Sequence, residues 1–443
     1  MGSSKFKSAA NSLIVLVLFS FCLKSQSIAT YSVTRSTGIS YVSINLTGNA
    51  FDSWRNTTSF TQDDNRSDFT NIGFDFWYNG IRYTKFSAST NGFLDFSSSV
   101  ANGGPTTGAF GYLNNAFTSS TGPTNPSIAP FYDDLTAQGG VSALGNSIKY
   151  NLSGSAPSRT LTIEWINMAV YGNTSPSLNF QVKLLETTGK IFINYGTMNT
   201  GTQIFSYSMG LNGQILGAAP TATQLKELQT VNSNVFSNTL QNNLSVMPLA
   251  NSQYVFTPVI PTPVLGSLAF TAVGQTSMTL NWTNWATNEI GYVIYNSTDN
   301  VNFNFVSQTA VNAVNATISG LLPSTTYYWK VYAVTEGCLS SALLGTQATA
   351  TAGNKISIVT GLWNSATTWS PTGVPTNADN VTIANGHVVK INTNAVCNNL
   401  SVGQGLSGVL SIGDNATARN IAFNGNVLIS SGATFNVNTA SNA

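Results

Sequence analysis

Charge is what this sequence has least of: only 7% of its 443 residues are Asp, Glu, Lys or Arg, against about a quarter in an ordinary soluble domain. It has a single histidine, His387, and three cysteines, Cys22, Cys338 and Cys397. One imidazole leaves almost no means of shuttling protons near neutral pH and no histidine set for a transition metal. Three thiols cannot build a disulfide framework. The balance of 17 basic against 16 acidic side chains also lacks the clustered cations that a nucleic-acid binder needs. Long apolar runs are missing too. The one sizeable stretch, 13–23 (LIVLVLFSFCL), falls short of the ~20 residues that span a bilayer.

What is present is apolar and polar-uncharged. A 42% hydrophobic content supplies packed cores, and Gly, Ser, Thr and Asn supply the surface. Lys5 and Lys7 precede the apolar run, and Ser27-Ile28-Ala29 offers a small-x-small cleavage site, so residues 1–29 read as an export signal with the mature chain starting at Thr30. Cys22 leaves with that signal. Loss of Lys5, Lys7 and Lys24 leaves the acids in slight excess, and the mature chain is expected outside the cytoplasm, secreted or at the outer cell surface, with no membrane-spanning segment. Cys338 and Cys397 fall in modules of different pattern and are expected to be unpaired thiols.

Nearly every patterned stretch alternates with period two, which puts one set of side chains in a core and the other in solvent. In 72–78 Ile72, Phe74, Phe76 and Tyr78 share a face, and Asn79-Gly80 turns the chain into 81–86. Asn91-Gly92 marks another turn. Leu161/Ile163/Trp165, Leu178/Phe180/Val182/Leu184 and Ile191/Ile193/Tyr195 repeat the alternation, with Thr188-Gly189 between the last two. Only 222–230 (ATQLKELQT) suggests a short helix. The proline-rich joint 258–263 cannot donate to a ladder and sets a boundary, so the chain reads as modules 30–257, 264–353 and 354–443.

In the first module, 71–96 (NIGFDFWYNGIRYTKFSASTNGFLDF), 128–135 (IAPFYDDL), 160–167 (TLTIEWIN) and 180–195 (FQVKLLETTGKIFINY) follow an order that resembles the nidogen-like extracellular domain. The resemblance implies a β-sandwich of adhesion or matrix proteins, with no catalytic residues to carry over. Read on their own, Asp133 and Asp134 are candidates for Ca²⁺, as are Asp63, Asn65 and Asp68 in DDNRSD, since hard cations take carboxylate and carbonyl oxygens. Turn capping is the plainer role for both groups, and the second lacks the glycine and glutamate of an EF-hand. No other cofactor is expected. A glycosidase needs two carboxyls held ~5–10 Å apart, and the pool is Asp95, Asp133, Glu164 and Glu186. Alternation opposite Ile163 and Trp165 places Glu164 in solvent. Trp54, Trp77 and Tyr171 are candidates for stacking on sugar rings, with core packing the plainer fate of each.

The second module carries Leu280-Asn281-Trp282, then Tyr292-Val293-Ile294-Tyr295, then Leu321, Pro323, Thr325, Tyr327, Trp329, Val331 and Ala333 at every second position. It resembles a fibronectin type III domain. Alternation buries Tyr327, Trp329 and Val331 with Trp282, and a tyrosine hydroxyl bonding back to the 321–323 corner would lock the crossover between sheets. The family implies a spacer or binding platform.

In the third module GLWNSATTWS at 361–370, Val374-Pro375, DNVTI at 379–383 and NGHVV at 385–389 resemble the entry segment of secreted parallel β-helices. Short apolar strands recur, and Ile383, Val402 and Phe423 are spaced like successive coils. Gly403, Gly405 and Gly408 fit G-x-G-x-x-G, yet a strand follows where phosphate binding needs a helix, so corner glycines are the reading. His387 suits a corner better than catalysis. Rungs still run when the sequence stops, with no polar cap, so a continuing solenoid is expected; the likeness also implies the type IX secretion route of Gram-negative bacteria.

The fold is therefore expected to be all-β: a β-sandwich, a fibronectin type III sandwich, then the start of a right-handed parallel β-helix. The function expected is non-enzymatic adhesion to an extracellular glycan or to a matrix or surface protein. Two rivals are a polysaccharide-degrading β-helix enzyme, for which 354–443 offer only Asp379, Asp414, Lys355, Lys390 and Arg419, and a structural stalk.

Overall fold

The computed structural model describes residues 28–55, 63–97, 126–137, 147–172, 177–199, 201, 205–213, 221–241, 243–262, 266–335, 337–351, 353–412 and 419–437. Their regular elements are strands, joined in places by three-residue 3-10 turns. No helix among them is long and apolar enough to cross a membrane. The chain divides into two compact units. One comprises the residues up to Ser153, Leu161–Lys183 and Phe192–Phe256; the other comprises Gly154–Thr160, Leu184–Ile191 and the residues from Thr257 on.

The first unit is built on two largely antiparallel sheets. One runs in the order Ser32–Thr37, Ser252–Thr257, Ile191–Tyr195, Leu178–Leu185, Thr160–Val170, Ile148–Ser153, Asn49–Ala50, with Leu135–Thr136 also paired to Thr160–Val170. The other runs Phe236–Ser237, Leu225–Leu228, Ser208–Asn212, Ser127–Tyr132, Phe93–Ser97, Ile81–Ser89, Thr70–Tyr78. Alternating apolar residues face each other across the gap. Trp165 stacks on Phe180 and donates its indole N–H to the Ser89 carbonyl at 2.8 Å; Phe131 stacks on Phe180, and the Tyr195 hydroxyl reaches the Pro130 carbonyl. Trp165 and Tyr195 thus each have a backbone acceptor on the opposite sheet. Asn79 and Gly80, at φ 50° and 76°, make the tight turn between Tyr78 and Ile81, the left-handed pair that hairpin twist requires.

Two expectations change here, and one pair of alternatives is decided. The stretch 222–230 is a 3-10 turn, Ala222–Gln224, followed by the strand Leu225–Leu228. Its helical propensity yields to ladder pairing with Ser208–Asn212. Glu164 is not in solvent: it is fully buried, because the irregular segment around 41–44 covers that face of its strand. Glu164 accepts hydrogen bonds from the Tyr41 hydroxyl at 2.8 Å and the Ile44 amide at 2.6 Å, and Gln181 donates to the Val42 carbonyl. Trp77 is 2% exposed, so both faces of its hairpin are covered and no sugar can stack on it.

In the second unit, residues 269–348 form a three-stranded sheet, Ala269–Thr271, Ser277–Asn281, Asn315–Ser319, and a four-stranded one, Asn304–Gln308, Gly291–Ser297, Thr326–Val334, Leu343–Ala348. Their shared core contains Trp282, Tyr292, Tyr327, Trp329 and Val331. The Leu322 amide donates to the Tyr327 hydroxyl at 2.9 Å, fastening the corner between sheets.

Beyond this, strands pair mainly in parallel, with Trp369–Ser370 antiparallel to Asn354–Ser357. Asn354–Ser357, Asn380–Ile383, Leu400–Val402 and Val427–Ile429 form one ladder; Gly361–Leu362, Val388–Ile391, Val409–Ile412 and Thr434–Val437 form a second; Ala395–Cys397 and Ile421–Phe423 form a third. Phe423 pairs with Cys397, and the position next to Val402 is taken by Ile429. Ile383 does pair with Val402 as their spacing implies, but Phe423 lies in another ladder, so the three are not one stack, because the turns between strands differ in length from one repeat to the next. An amide ladder runs alongside. Asn380 donates to Asn354, Asn398 and Asn399 donate to Asn380, and the Asn426 amide donates to Asn399. The 403–408 glycines turn between two strands, and His387 Nδ1 lies 2.9 Å from the Ser357 carbonyl oxygen. Cys338 and Cys397 are buried free thiols, pushed by burial up to about 11 and about 12.

Candidate functional site

In the first unit, local chain geometry brings two acidic segments to one place. Asp133 and Asp134 form the bend where the chain leaves Ser127–Tyr132 in one sheet and enters Leu135–Thr136 in the other. Asp63 and Asp64 lie in a bend just before Arg66, which bridges to Ser89 at the end of the strand Ile81–Ser89. Carboxylate oxygens of Asp63, Asp64 and Asp134 all lie within 4.8 Å of one another.

Asn91, fully buried in the turn after Ser89, holds both bends. Its side-chain N–H donates to Asp64 Oδ1 at 3.1 Å and its Oδ1 accepts from the Leu135 amide at 2.9 Å. Asp63 is 5% exposed. No donor meets its Oδ1, Asp134 Oδ1 or Asp133 Oδ2 among the described residues, while the Asp63 and Asp134 side chains lie within hydrogen-bond reach of each other. Burial, then the charges of Asp64 and Asp134, pushes the Asp63 carboxyl up to about 8. Burial raises Asp134 and Asp133 as well, and raises Asp64 against the opposing hydrogen bond from Asn91. Such a group either keeps protons or takes a hard cation.

The two sequence candidates for calcium are thus partly one. Asp63 and Asp134 join. Asp133 is adjacent, with its Oδ1 accepting the Asp134 amide at 2.9 Å. Asn65 serves the backbone, its Oδ1 accepting the Arg66 amide. Asp68 stands apart, exposed and paired with Arg55 Nε at 3.1 Å and with the Ser53 hydroxyl. Asp64 and Asn91 were missed as a member of this cluster and its support, since their placement depends on a bend far away in the chain.

The same unit carries an open pocket of about 450 Å³, lined by Asp52, Asp68, Phe69, Asn71, Lys85 and Tyr150 among others. The Tyr150 ring packs on Phe51 and Phe86 at 5.0 and 6.0 Å between centroids. Charged groups of both signs, an amide and two aromatic rings can recognise a polyhydroxylated or mixed polar ligand. Of the stacking candidates, Trp54 is half-buried and packs edge-on against Phe51, while Tyr171 is 52% exposed.

The remaining carboxyls of the hydrolase pool have structural partners. Asp95 pairs with Arg66, and Glu186 is held bidentately by Arg159. Glu227, unremarked in the sequence, is buried, accepts the Gln241 amide, and is pushed by burial up to about 8.

Comparison with known families matches residues 30–258 to the model described as "NIDO related". That is more than half of the chain. The chain belongs to the NIDO-related family. In this NIDO-related chain, residues 261–343 match the fibronectin type III domain. Similar solved structures include the fn3 domain of human contactin 1, at 17% identity over 21% of this chain and 82% of that one, TM-score 0.20. An FN3 domain of human collagen XX is 26% identical over 21% and 91%, TM-score 0.18. A redesigned β-sandwich protein is 18% identical over 21% and 96%, TM-score 0.18. No curated protein matches the chain.

Proposed function

We propose that this NIDO-related chain is a secreted or cell-surface binding protein that attaches to an extracellular glycan or matrix ligand without catalysing a reaction. The observation that carries the reading is the open pocket around Tyr150, set in a module type found together here with a fibronectin type III domain. In it Tyr150 offers a ring face, and Asp52, Asp68, Asn71 and Lys85 offer hydrogen bonds. The fibronectin module is the spacer. Residues 354–437 are proposed as opening coils of a right-handed parallel β-helix, a reading supported by the parallel ladders and the amide stack. Export by the type IX route belongs to the same proposal and rests on module order alone.

Glycan and matrix-protein arrays probed with the secreted chain test the ligand. Binding is expected, and Tyr150→Ala is expected to weaken it roughly tenfold, the worth of one aromatic contact. Silence on every sugar and matrix protein, or unchanged binding by Tyr150→Ala, counts against the pocket. Hydrolysis or lyase cleavage of a bound polysaccharide by the purified chain would instead favour the enzyme reading, although Asp379, one of its few acids, is already held by the Thr376 amide and hydroxyl; Asp414 lies outside the described residues.

The position of signal cleavage is part of this proposal. Residues 1–27 lie outside the described ones, but Ile28 is fully buried and the Ala29 carbonyl accepts from Lys226 Nζ at 2.9 Å. Removal of both would strip a core side chain, so Ala29 is a poor last residue of the signal. Ser25-Gln26-Ser27 is also small-x-small. Mass spectrometry of the secreted protein is expected to find Ile28 at its N-terminus; Thr30 there would restore the site read from the sequence.

A further inference from the structure

We propose that Asp63, Asp64 and Asp134 together hold one Ca²⁺, which fastens the point where the chain crosses between the two sheets of the NIDO-related module. This inference stands apart from the glycan reading.

The distances suit the ion. Calcium binds oxygen at about 2.3–2.6 Å, so two oxygens sharing it lie at most about 5 Å apart. All three carboxylates meet that condition, with ligand oxygens within 4.8 Å of one another. A second observation points the same way: Asp63 is 5% exposed, no protein donor meets its Oδ1 or Asp134 Oδ1 among the described residues, and the two side chains lie within hydrogen-bond reach of each other, so two carboxyls face each other with only a proton or a cation able to join them. Buried carboxylate oxygens are costly unless a proton, a donor or a cation meets them. Asn91 donates its side-chain N–H to Asp64 and accepts the Leu135 amide at its Oδ1. Asn91 is therefore a positioning residue, which aligns the bend of Asp64 with the bend of Asp134.

The donor set selects the metal. It has no thiol or imidazole, which disfavours zinc and copper. Its ligands come from two irregular bends, the flexible arrangement calcium tolerates, whereas magnesium demands near-octahedral geometry and keeps most of its water. Three carboxylates crowd one mostly buried space, and a divalent charge relieves their mutual repulsion.

The structural consequence follows from position. Asp134 sits between Ser127–Tyr132 in one sheet and Leu135–Thr136 in the other, and its carbonyl accepts the Tyr171 amide at 2.8 Å. An ion here ties the segment at 63–64 to that crossover.

The test uses the full secreted chain, stripped with EDTA and dialysed. Isothermal titration with CaCl₂ is expected to give saturable binding, and scanning calorimetry is expected to show one transition rising by roughly 5–10 °C at a hundredfold excess over Kd. MgCl₂ at equal concentration should move it much less. Asp134→Asn and Asp63→Asn should each lose the calcium response. Absence of both heat and Tm shift in the wild-type chain overturns the site, and needs no variant to fold. Variants that keep the full response overturn the ligand assignment, and an equal response to magnesium overturns the choice of calcium.

Discussion

Arg66→Ala is expected to destabilise the first unit by about 3–5 kcal/mol, the range for breaking a buried ion pair from one side. Arg66 and its partner Asp95 are 6% and 1% exposed. Arg66 Nε donates to Ser87 Oγ at 2.8 Å, Ser87 Oγ donates to the Ser67 carbonyl at 2.7 Å, and the guanidinium lies 5.0 Å from the Phe69 ring centre. Ser87 and Asp95 are opposite each other on neighbouring strands, so the pair joins the 63–67 segment to the sheet. Burial pulls the Arg66 pKa down and the Asp95 charge holds it up. Removal of the cation leaves a buried carboxylate without its counter-charge, and that penalty dominates. Arg66→Met combined with Asp95→Leu should recover most of the loss, because two apolar groups need no partner. Urea unfolding of the single and double variants decides it. A single variant within about 1 kcal/mol of wild type would show that the pair is dispensable.

In the fibronectin module Trp329→Ala is expected to cost about 3–5 kcal/mol, whereas Tyr327→Phe should cost only about 1–3 kcal/mol. Trp329 is 1% exposed and lies 5.8 Å from the Tyr327 ring in a core shared with Trp282, Tyr292 and Leu280. Alanine leaves a cavity between two sheets that cannot close without moving the ladder. Phenylalanine at 327 keeps the packing and removes only the acceptor of the Leu322 amide, so it measures the corner hydrogen bond by itself. Chemical denaturation followed by tryptophan fluorescence separates the two. An equal cost for both would mean that the corner, not the core, limits this module.

The polar sites depart most from sequence reasoning. Glu164 obeys the alternation, facing away from Ile163 and Trp165, yet a loop with no pattern of its own, around Tyr41 and Ile44, closes over it. Alternation assigns a face but does not say what covers that face. The acidic cluster illustrates the same limit. Asp63-Asp64 and Asp133-Asp134 each read as a local turn, and their meeting depends on which strands pair. Even Asn91-Gly92, read correctly as a turn, conceals that the asparagine side chain spans two distant bends.

Sequence alone determined the strands of the sandwich cores, the Asn79-Gly80 hairpin and the Tyr327 corner, because period-two burial, left-handed turn residues and a side chain reaching five residues back are local properties. Tertiary structure alone decided the meeting of Asp63, Asp64 and Asp134, the burial of Glu164, the strand at 225–228 and the pairing of Val402 with Ile429. Those depend on contacts between segments far apart in the chain, where pairing and coverage are chosen by the packing of the whole unit and leave no periodic trace in the residues themselves.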